Sequence, residues 1–360
     1  MGVSAEQIKL LARQCGFELA GIAAALPLSD YEVFDQWRQA DMAGEMTYLT
    51  DQRGNLRADP RHLLADAKTI ICVGKLYNTG QPYSTVRDAP DTGWISRYAW
   101  GEDYHDVVRK GLEQLRARIE HVNGESFSSR ICVDTAPLLE RSYARLAGLG
   151  WIGRNTCLIN QGGGSWFFLG ELLTSLELTP DSPPPDRCGS CRRCIDACPT
   201  SAIVPSPHGW QIDSRACISY LTIEKRGVID PDVQNAMGDH LFGCDICQDV
   251  CPWNRRAPIT ADPAFERHEH SSLLELSACS EDDFRRDFRH SPVWRAKYRG
   301  FLRNVAVAMG NSGNPAMVDH LERLAAHPDE SVSSAAKRAL AILSERETPD
   351  SEVEATPECV

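Results

Sequence analysis

What this chain lacks narrows it first. Its 360 residues contain no run of about 18 apolar residues, so no helix is expected to span a bilayer. The opening from Met1 to Leu10 has no basic segment leading into an apolar one, so export is not expected and the cytoplasm is the expected compartment. Positive charge is not in excess either. With 38 Lys and Arg against 50 Asp and Glu the formal charge is −12, so contact with nucleic acid would have to come from a local basic patch. No coiled-coil pattern or long apolar surface stripe demands a partner, which points to a monomer. Hydrophobic residues at 42% and charged ones at 24% are ordinary for a globular protein, and the length suits two or three domains.

Cysteine, by contrast, is abundant. There are 14, and a compartment that keeps thiols reduced argues against reading them as a disulfide framework. Cys15, Cys72, Cys132, Cys157, Cys279 and Cys359 are scattered singly. Such residues are expected as small core hydrophobes, except Cys359, whose acidic surroundings suit an exposed thiol. The other eight lie between Cys188 and Cys251.

The spacing of those eight carries chemistry. Cys188-x2-Cys191-x2-Cys194-x3-Cys198-Pro199 is the bacterial ferredoxin run, in which three cysteines hold one 4Fe–4S cubane and the fourth reaches to another. A second motif, Cys244-x2-Cys247-x3-Cys251-Pro252, is one cysteine short, and Cys217 is the only other cysteine in the segment. The expected ligand sets are therefore Cys188, Cys191, Cys194 and Cys251 for one cluster, and Cys198, Cys217, Cys244 and Cys247 for the other. Zinc is the competing reading. It usually takes cysteine pairs separated by a longer loop, rather than four cysteines so close together.

Around that segment the pattern reads as α+β. Residues 1–178 are expected as an α/β domain: a helix from Ser4 to Cys15 with Ser4 as N-cap, a buried strand at Thr69–Gly74, a helix from Tyr104 to His121 and a strand at Arg130–Val133. A helix is expected from Leu138 to Ala147, with Pro137 at its start and Gly148 and Gly150 beyond its end. Asp134 then stands where a strand hands over to a helix, a frequent place for working side chains, although a plain N-cap fits that position equally well. The glycine turn Gln161–Ser165 reads either as a hairpin or as a place for close backbone approach. Residues 179–255 form a ferredoxin-like domain with both clusters, behind a proline-rich connector. Residues 256–346 are expected to be helical, ending in a HEAT-like pair, and 347–360 a disordered acidic tail. From Phe284 to Arg303 there are seven basic residues (Arg285, Arg286, Arg289, Arg295, Lys297, Arg299, Arg303) against Asp287, with Trp294 and Tyr298 interleaved. Such a patch suits phosphates and bases, although a solvated helical face has the same composition.

Three longer stretches bring a resemblance. Ile95-Ser-Arg-Tyr-Ala-Trp-Gly-Glu-Asp-Tyr-His105, Val133-Asp-Thr-Ala-Pro-Leu-Leu-Glu-Arg141 and Ala147-Gly-Leu-Gly-Trp-Ile-Gly-Arg-Asn155 resemble the epoxyqueuosine reductases. The double cysteine motif and helical C-terminus fit as well. Ala136 stands where the family usually has Gly, and Arg154 where it often has Lys. The resemblance implies cobalamin beside two 4Fe–4S clusters, in an architecture related to reductive dehalogenases. It also implies reduction of epoxyqueuosine to queuosine and water at the wobble position of tRNA. Electrons would come from an external donor such as a flavodoxin or ferredoxin. Asp134 would be the proton donor, with a pKa raised by burial. Arg57, Arg97, Tyr104, His105, Asp134, Asn155, Ser165 and Ser219 would line the cofactor. Lys225, Arg285, Arg286, Arg289, Arg295, Lys297 and Arg299 would meet the tRNA anticodon stem-loop. The better-known cobalamin signature Asp-x-His-x-x-Gly is absent, since Asp103-Tyr-His105 is followed by Val108 where it needs Gly. A dehalogenase-like enzyme acting on a small organic substrate, or a ferredoxin-type carrier, would share the cysteines. The first leaves the basic helical end without a reason, the second the large first domain.

Protein purified without oxygen should be brown and hold iron and sulfide in the amount two cubanes require. Colourless protein containing zinc would remove the cluster assignment.

Overall fold

A computed structural model of the chain describes residues 2–86, 89, 91–266 and 272–347. Nearly all of the expected acidic tail, and Cys359, lie outside the described residues.

The first helix, α1 (Ala5–Gln14), begins as its sequence directs: Ser4 and Gln7 close a capping box. It leads into a four-stranded sheet of β1 (Leu19–Ala24), β2 (Thr69–Leu76), β3 (Ser129–Cys132) and β4 (Phe167–Thr174). The spatial order is β1–β2–β4–β3, and every neighbouring pair is antiparallel. Helices and strands do mix as the α/β reading has it, but none of these pairings is parallel.

All eight residues of β2 are buried because both faces of the sheet are covered. Ile71 and Val73 face α1 and α2 (Tyr104–Asn123), packing with Ile8, Ala12, Leu112 and Leu115. Ile70 and Cys72 face the other way, toward α3 (Glu140–Leu146), with Tyr143 and Ala144. This is the two-residue alternation of a strand. The helix expected from Leu138 begins at Glu140, and Pro137 stays outside it. Residues 133–139 are used instead in a turn. There the Thr135 N–H donates to the Val133 carbonyl at 2.6 Å and the Asp134 N–H to Glu140 Oε1 at 2.7 Å.

A third core joins distant parts of the chain. Trp94 and Trp100 pack with Leu221 of α4 (Ile218–Ile223), with Phe242, and with residues of the C-terminal helices such as Phe301, Val305, Leu321 and Ala336. Trp94–Ile95 also pairs in parallel with His240–Phe242. The C-terminal part runs through α5 (Glu281–Phe288), α6 (Lys297–Ser312), α7 (Val318–Ala325) and α8 (Glu330–Glu347). Helix α8 lies so close to α6 that a Cβ on Gly310 would stand 2.7 Å from that of Ala339. Two buried polar side chains of α6 fix it to the cysteine-rich segment. Arg303 donates to the carbonyls of Leu221, Lys225 and Gly227, and Asn304 to those of Thr222 and Leu241. Each buried carbonyl is thereby satisfied. Among the described residues no helix is long and apolar enough to cross a membrane.

Candidate active site and cluster-binding segment

The cysteines gather in two groups of four. Cys194 lies within electrostatic reach of Cys251, Cys188 and Cys191. Cys244 has Cys217 and Cys198 beside it, and Cys247 has Cys244 and Cys217. Backbone amides turn toward the sulfurs. The Ala202 N–H donates to Cys198 Sγ at 3.3 Å, the amides of Ser219 and Tyr220 approach Cys217, that of Ile246 Cys244, and that of Trp253 Cys251. Thiols in fours with amides aimed at them form a donor set suited to cubanes, whose negative charge those amides stabilise. Among the described residues no three His, Cys, Asp or Glu side chains converge to hold a single metal ion. Cys157, expected as a core hydrophobe, instead stands between the two groups. It hydrogen-bonds Cys247 and also faces Cys217 and Cys251.

Asp134 follows β3 in a left-handed backbone conformation, φ +54°, a region that costs most non-glycine residues about 1 kcal/mol or more but admits Asp and Asn. Its side chain is 49% exposed, yet Tyr98, Tyr104, His105 and Arg295 crowd round it. Its Oδ2 is 3.2 Å from His105 Nε2, and His105 Nδ1 is 2.7 Å from Asp103 Oδ1. An imidazole between two carboxylates keeps both its protons. Burial would lower the His105 pKa, but the hydrogen bonds to Asp103 and Asp134 overcome this and lift it to about 9. These ion pairs stabilise the fold fully below the ordinary pKa of 6.5, and the contribution is lost as pH rises through about 9.

The expectation that Asp134 itself has a raised pKa is overturned. Burial pushes it up, but His105, by hydrogen bond and by charge, and then Arg295 hold it below the ordinary carboxylate value. The proton of this pair sits on His105.

The expected cofactor residues divide. Tyr104 stacks on Phe168 with rings 4.4 Å apart and joins His105 at Asp134. Arg57, mostly buried, gives Nη1 to the carbonyls of Tyr48 and Arg53 while facing Glu140. Ser219 is half-buried, one turn from Cys217. The other three are spent on the protein itself. Arg97 is buried under Trp100, Trp166 and Tyr83 and donates to Thr79, Gln81 and Pro82. Asn155 donates to the Cys247 carbonyl at 3.2 Å. Ser165 is locked to Asn254 and Gln248. The glycine turn before it serves the same seam, since a Cβ on Gly164 would come within 2.3 Å of Asn254 Oδ1.

The basic stretch also divides. Arg303 is a buried tie, as described above. Arg295 belongs beside Asp134: it pairs with Glu224 at 2.5 Å, lies over the Tyr48 ring and acts on Asp134. Lys225 pairs with Glu45, Arg285 with Asp282, Arg286 with Asp283 and Asp287, and Arg299 with Asp329. Arg289 is exposed, and Lys297, also exposed, reaches over the Trp294 ring. The patch is therefore less positive than its composition.

Tyr98, Glu140, Glu171 and Glu224 were not singled out from the sequence. Glu171 was the most detectable of them, as the one charged residue in an otherwise apolar strand, Phe167–Thr174.

Comparison with known proteins agrees with this layout. A family model described as a 4Fe-4S double cluster binding domain matches residues 187–254. Another, described as Epoxyqueuosine reductase QueG, DUF1730, matches residues 57–135. The epoxyqueuosine reductase of Xanthomonas campestris pv. campestris is 41% identical over 315 residues, 86% of this chain and 87% of that one. A crystal structure of epoxyqueuosine reductase with a tRNA-Tyr epoxyqueuosine-modified stem loop superposes with a TM-score of 0.83 at 27% identity, covering 94% of this chain and 89% of the other. A Bacillus subtilis epoxyqueuosine reductase, solved with its aspartate catalytic loop swung out of the active site, gives a TM-score of 0.77 at 25% identity over 94% of this chain and 98% of that one.

Nitrogen-15 NMR of the histidines should show His105 titrating near pH 9, and Asp134→Asn should lower that midpoint by removing one carboxylate. A midpoint near 6.5 in the unaltered protein would break the proposed bridge.

Proposed function

The chain belongs to the epoxyqueuosine reductase family, oxidoreductases of queuosine biosynthesis, and from that premise we infer that it removes the epoxide oxygen of epoxyqueuosine at the wobble position of tRNA. The observation that carries this reading is Asp134, half exposed between His105 and Arg295, with Tyr98 linking it to Asp245 of the cysteine-rich segment. Both carbon–oxygen bonds of the epoxide break, two electrons and two protons are consumed, and the oxygen leaves as water.

The protein's own groups supply the proton path. The leaving oxygen gains negative charge, and Arg295 opposes it. The proton that His105 holds up to about pH 9 passes through Asp134 to that oxygen, and His105 regains one from solvent for the second transfer. General acid catalysis of this kind is worth roughly 10²–10⁴-fold. The mobile aspartate loop described for the Bacillus subtilis relative supports the same assignment.

Electrons enter at the group Cys188, Cys191, Cys194 and Cys251, whose loop is exposed and carries Arg187, Arg192 and Arg193, from a flavodoxin- or ferredoxin-type donor. They leave from Cys198, Cys217, Cys244 and Cys247. Tyr98 lies within reach of both Asp245, in the loop of that group, and Asp134. Bound cobalamin would supply a cobalt centre able to take electrons singly and deliver a pair to the epoxide carbon. Of the residues on the page, Arg57, Tyr104, His105 and Ser219 would hold it, with Asp134 facing it. Residues 1–178 would then be the catalytic part, 179–255 the electron supply, and 256–346 the part that meets the tRNA anticodon stem-loop, chiefly through Arg289 and Lys297. Arg285, Arg286 and Arg299 contribute once their carboxylate partners release them.

Asn tolerates the left-handed conformation at position 134, so Asp134→Asn changes the chemistry and not the turn. It should keep iron and cobalamin content but lose on the order of 10²-fold or more in turnover; full activity would remove the proton-donor role. Replacing Arg289 and Lys297 together with neutral residues should weaken stem-loop binding and flatten its salt dependence. An unchanged slope of affinity against salt would move the tRNA site elsewhere.

A further inference from the structure

Behind Asp134, on the sheet face covered by α3, lies a pair of acids that the reaction above does not use. Glu171 is in β4, directly opposite Cys72 of β2 on one side and Cys132 of β3 on the other. It is fully buried, and neither carboxyl oxygen finds a donor. Glu140, at the start of α3, brings its carboxyl within hydrogen-bonding reach of Glu171, while its Oε1 accepts the Asp134 N–H at 2.7 Å.

Two carboxylates facing one another without a donor between them cannot both be ionised in a buried site. Among the described residues no cation is shown paired with either carboxyl, and the two arginines that act on Glu140 from a distance are bonded elsewhere. Arg141 gives Nη1 to the Thr156 carbonyl at 2.5 Å, and Arg57 gives Nη1 to Tyr48 and Arg53. Asp134 adds a like charge, while Tyr104, Cys72 and Cys132 add none.

We propose that Glu140 and Glu171 share one proton and act as a positioning pair for Asp134. This rests on the reading of Asp134 as proton donor. With the proton in place, the two carboxyls hold together, and Glu140 holds the Asp134 N–H and with it the left-handed turn that aims the side chain at His105. Without the proton, two buried like charges repel and the turn loses its anchor.

Burial, with the Asp134 charge added, lifts the Glu140 pKa to about 8, and burial with Glu140 beside it also lifts Glu171 well above its ordinary value. The folded chain thus keeps a proton that the unfolded chain releases at the ordinary value of 4.5. Stability from this source is full below that pH and declines as pH rises through about 8. Catalysis should fade on the same alkaline side.

The test uses infrared spectroscopy of the holoenzyme. At pH 7 the unaltered protein should show the carbonyl band of a buried protonated carboxyl, absent in Glu171→Gln and lost from the unaltered protein on titration past about pH 8. Glutamine is neutral and supplies a donor to Glu140, so this variant should fold and lose the alkaline decline. Glu140→Ala removes the anchor. It should lower kcat on the order of 10²-fold with KM little changed, and drop the His105 midpoint because Asp134 no longer holds it. A missing carboxyl band at pH 7, or an unmoved His105 midpoint in Glu140→Ala, overturns the proposal. If the unaltered protein fails to reduce epoxyqueuosine, the functional reading falls. The infrared band and the His105 midpoint still decide the pair.

Discussion

The charge balance around Asp134 is the constraint on which the rest of the site depends. One carboxylate meets a doubly bridged imidazolium on one side and an arginine on the other, and each neighbour comes from a different part of the chain. Asp134 comes from the edge of the sheet, His105 from the first turn of α2, and Arg295 from the short helical turn Pro292–Ala296 ahead of α6. The three are in register only if the C-terminal helices are fixed to the sheet domain. Arg303 and Asn304 do part of that work by satisfying carbonyls of the cysteine-rich segment, and Asn254 does another part through Ser165. Polar groups deep in these seams look costly in isolation. Fully paired, they fix one arrangement among many that apolar packing would permit.

How much of this was legible beforehand depends on the range of the interaction. The cysteine groups could be read because a loop round a cubane is a local object, and its spacing is written in consecutive residues. Strands and helices with strict periods, Thr69–Leu76 and Tyr104–Asn123, were legible for the same reason. The hand of the strand pairing was not, because β2 finds β4 across some ninety residues and no local pattern records the direction. Arg97, Asn155 and Ser165 show a different limit. A polar side chain buried to hold its own backbone and one buried to hold a ligand have the same sequence appearance. Arg295 and Arg303 were counted into one basic run with Arg285, although one serves the Asp134 site and the other the core.

The raised pKa expected for Asp134 failed for a related reason. Burial was weighed, but the partners were not, and His105, Arg295 and Tyr104 together outweigh the desolvation of this carboxyl. The acid whose pKa is raised is Glu140, six residues further on, where burial and the Asp134 charge outweigh the pull of Arg141. Two carboxyls six residues apart thus sit on opposite sides of the ordinary value, and only the three-dimensional neighbourhood distinguishes them.

The core that joins Trp94 and Trp100 to Leu221, Phe242 and the C-terminal helices also bears on how such a chain can be altered. Cutting it after the cysteine motifs would strip the cover from two indoles and much of α4, so the electron-carrying segment is no detachable cassette. Exchange of parts between relatives would succeed only if all three stretches travelled together. Lineages would then vary this protein by substitution at its surface more readily than by shuffling its pieces.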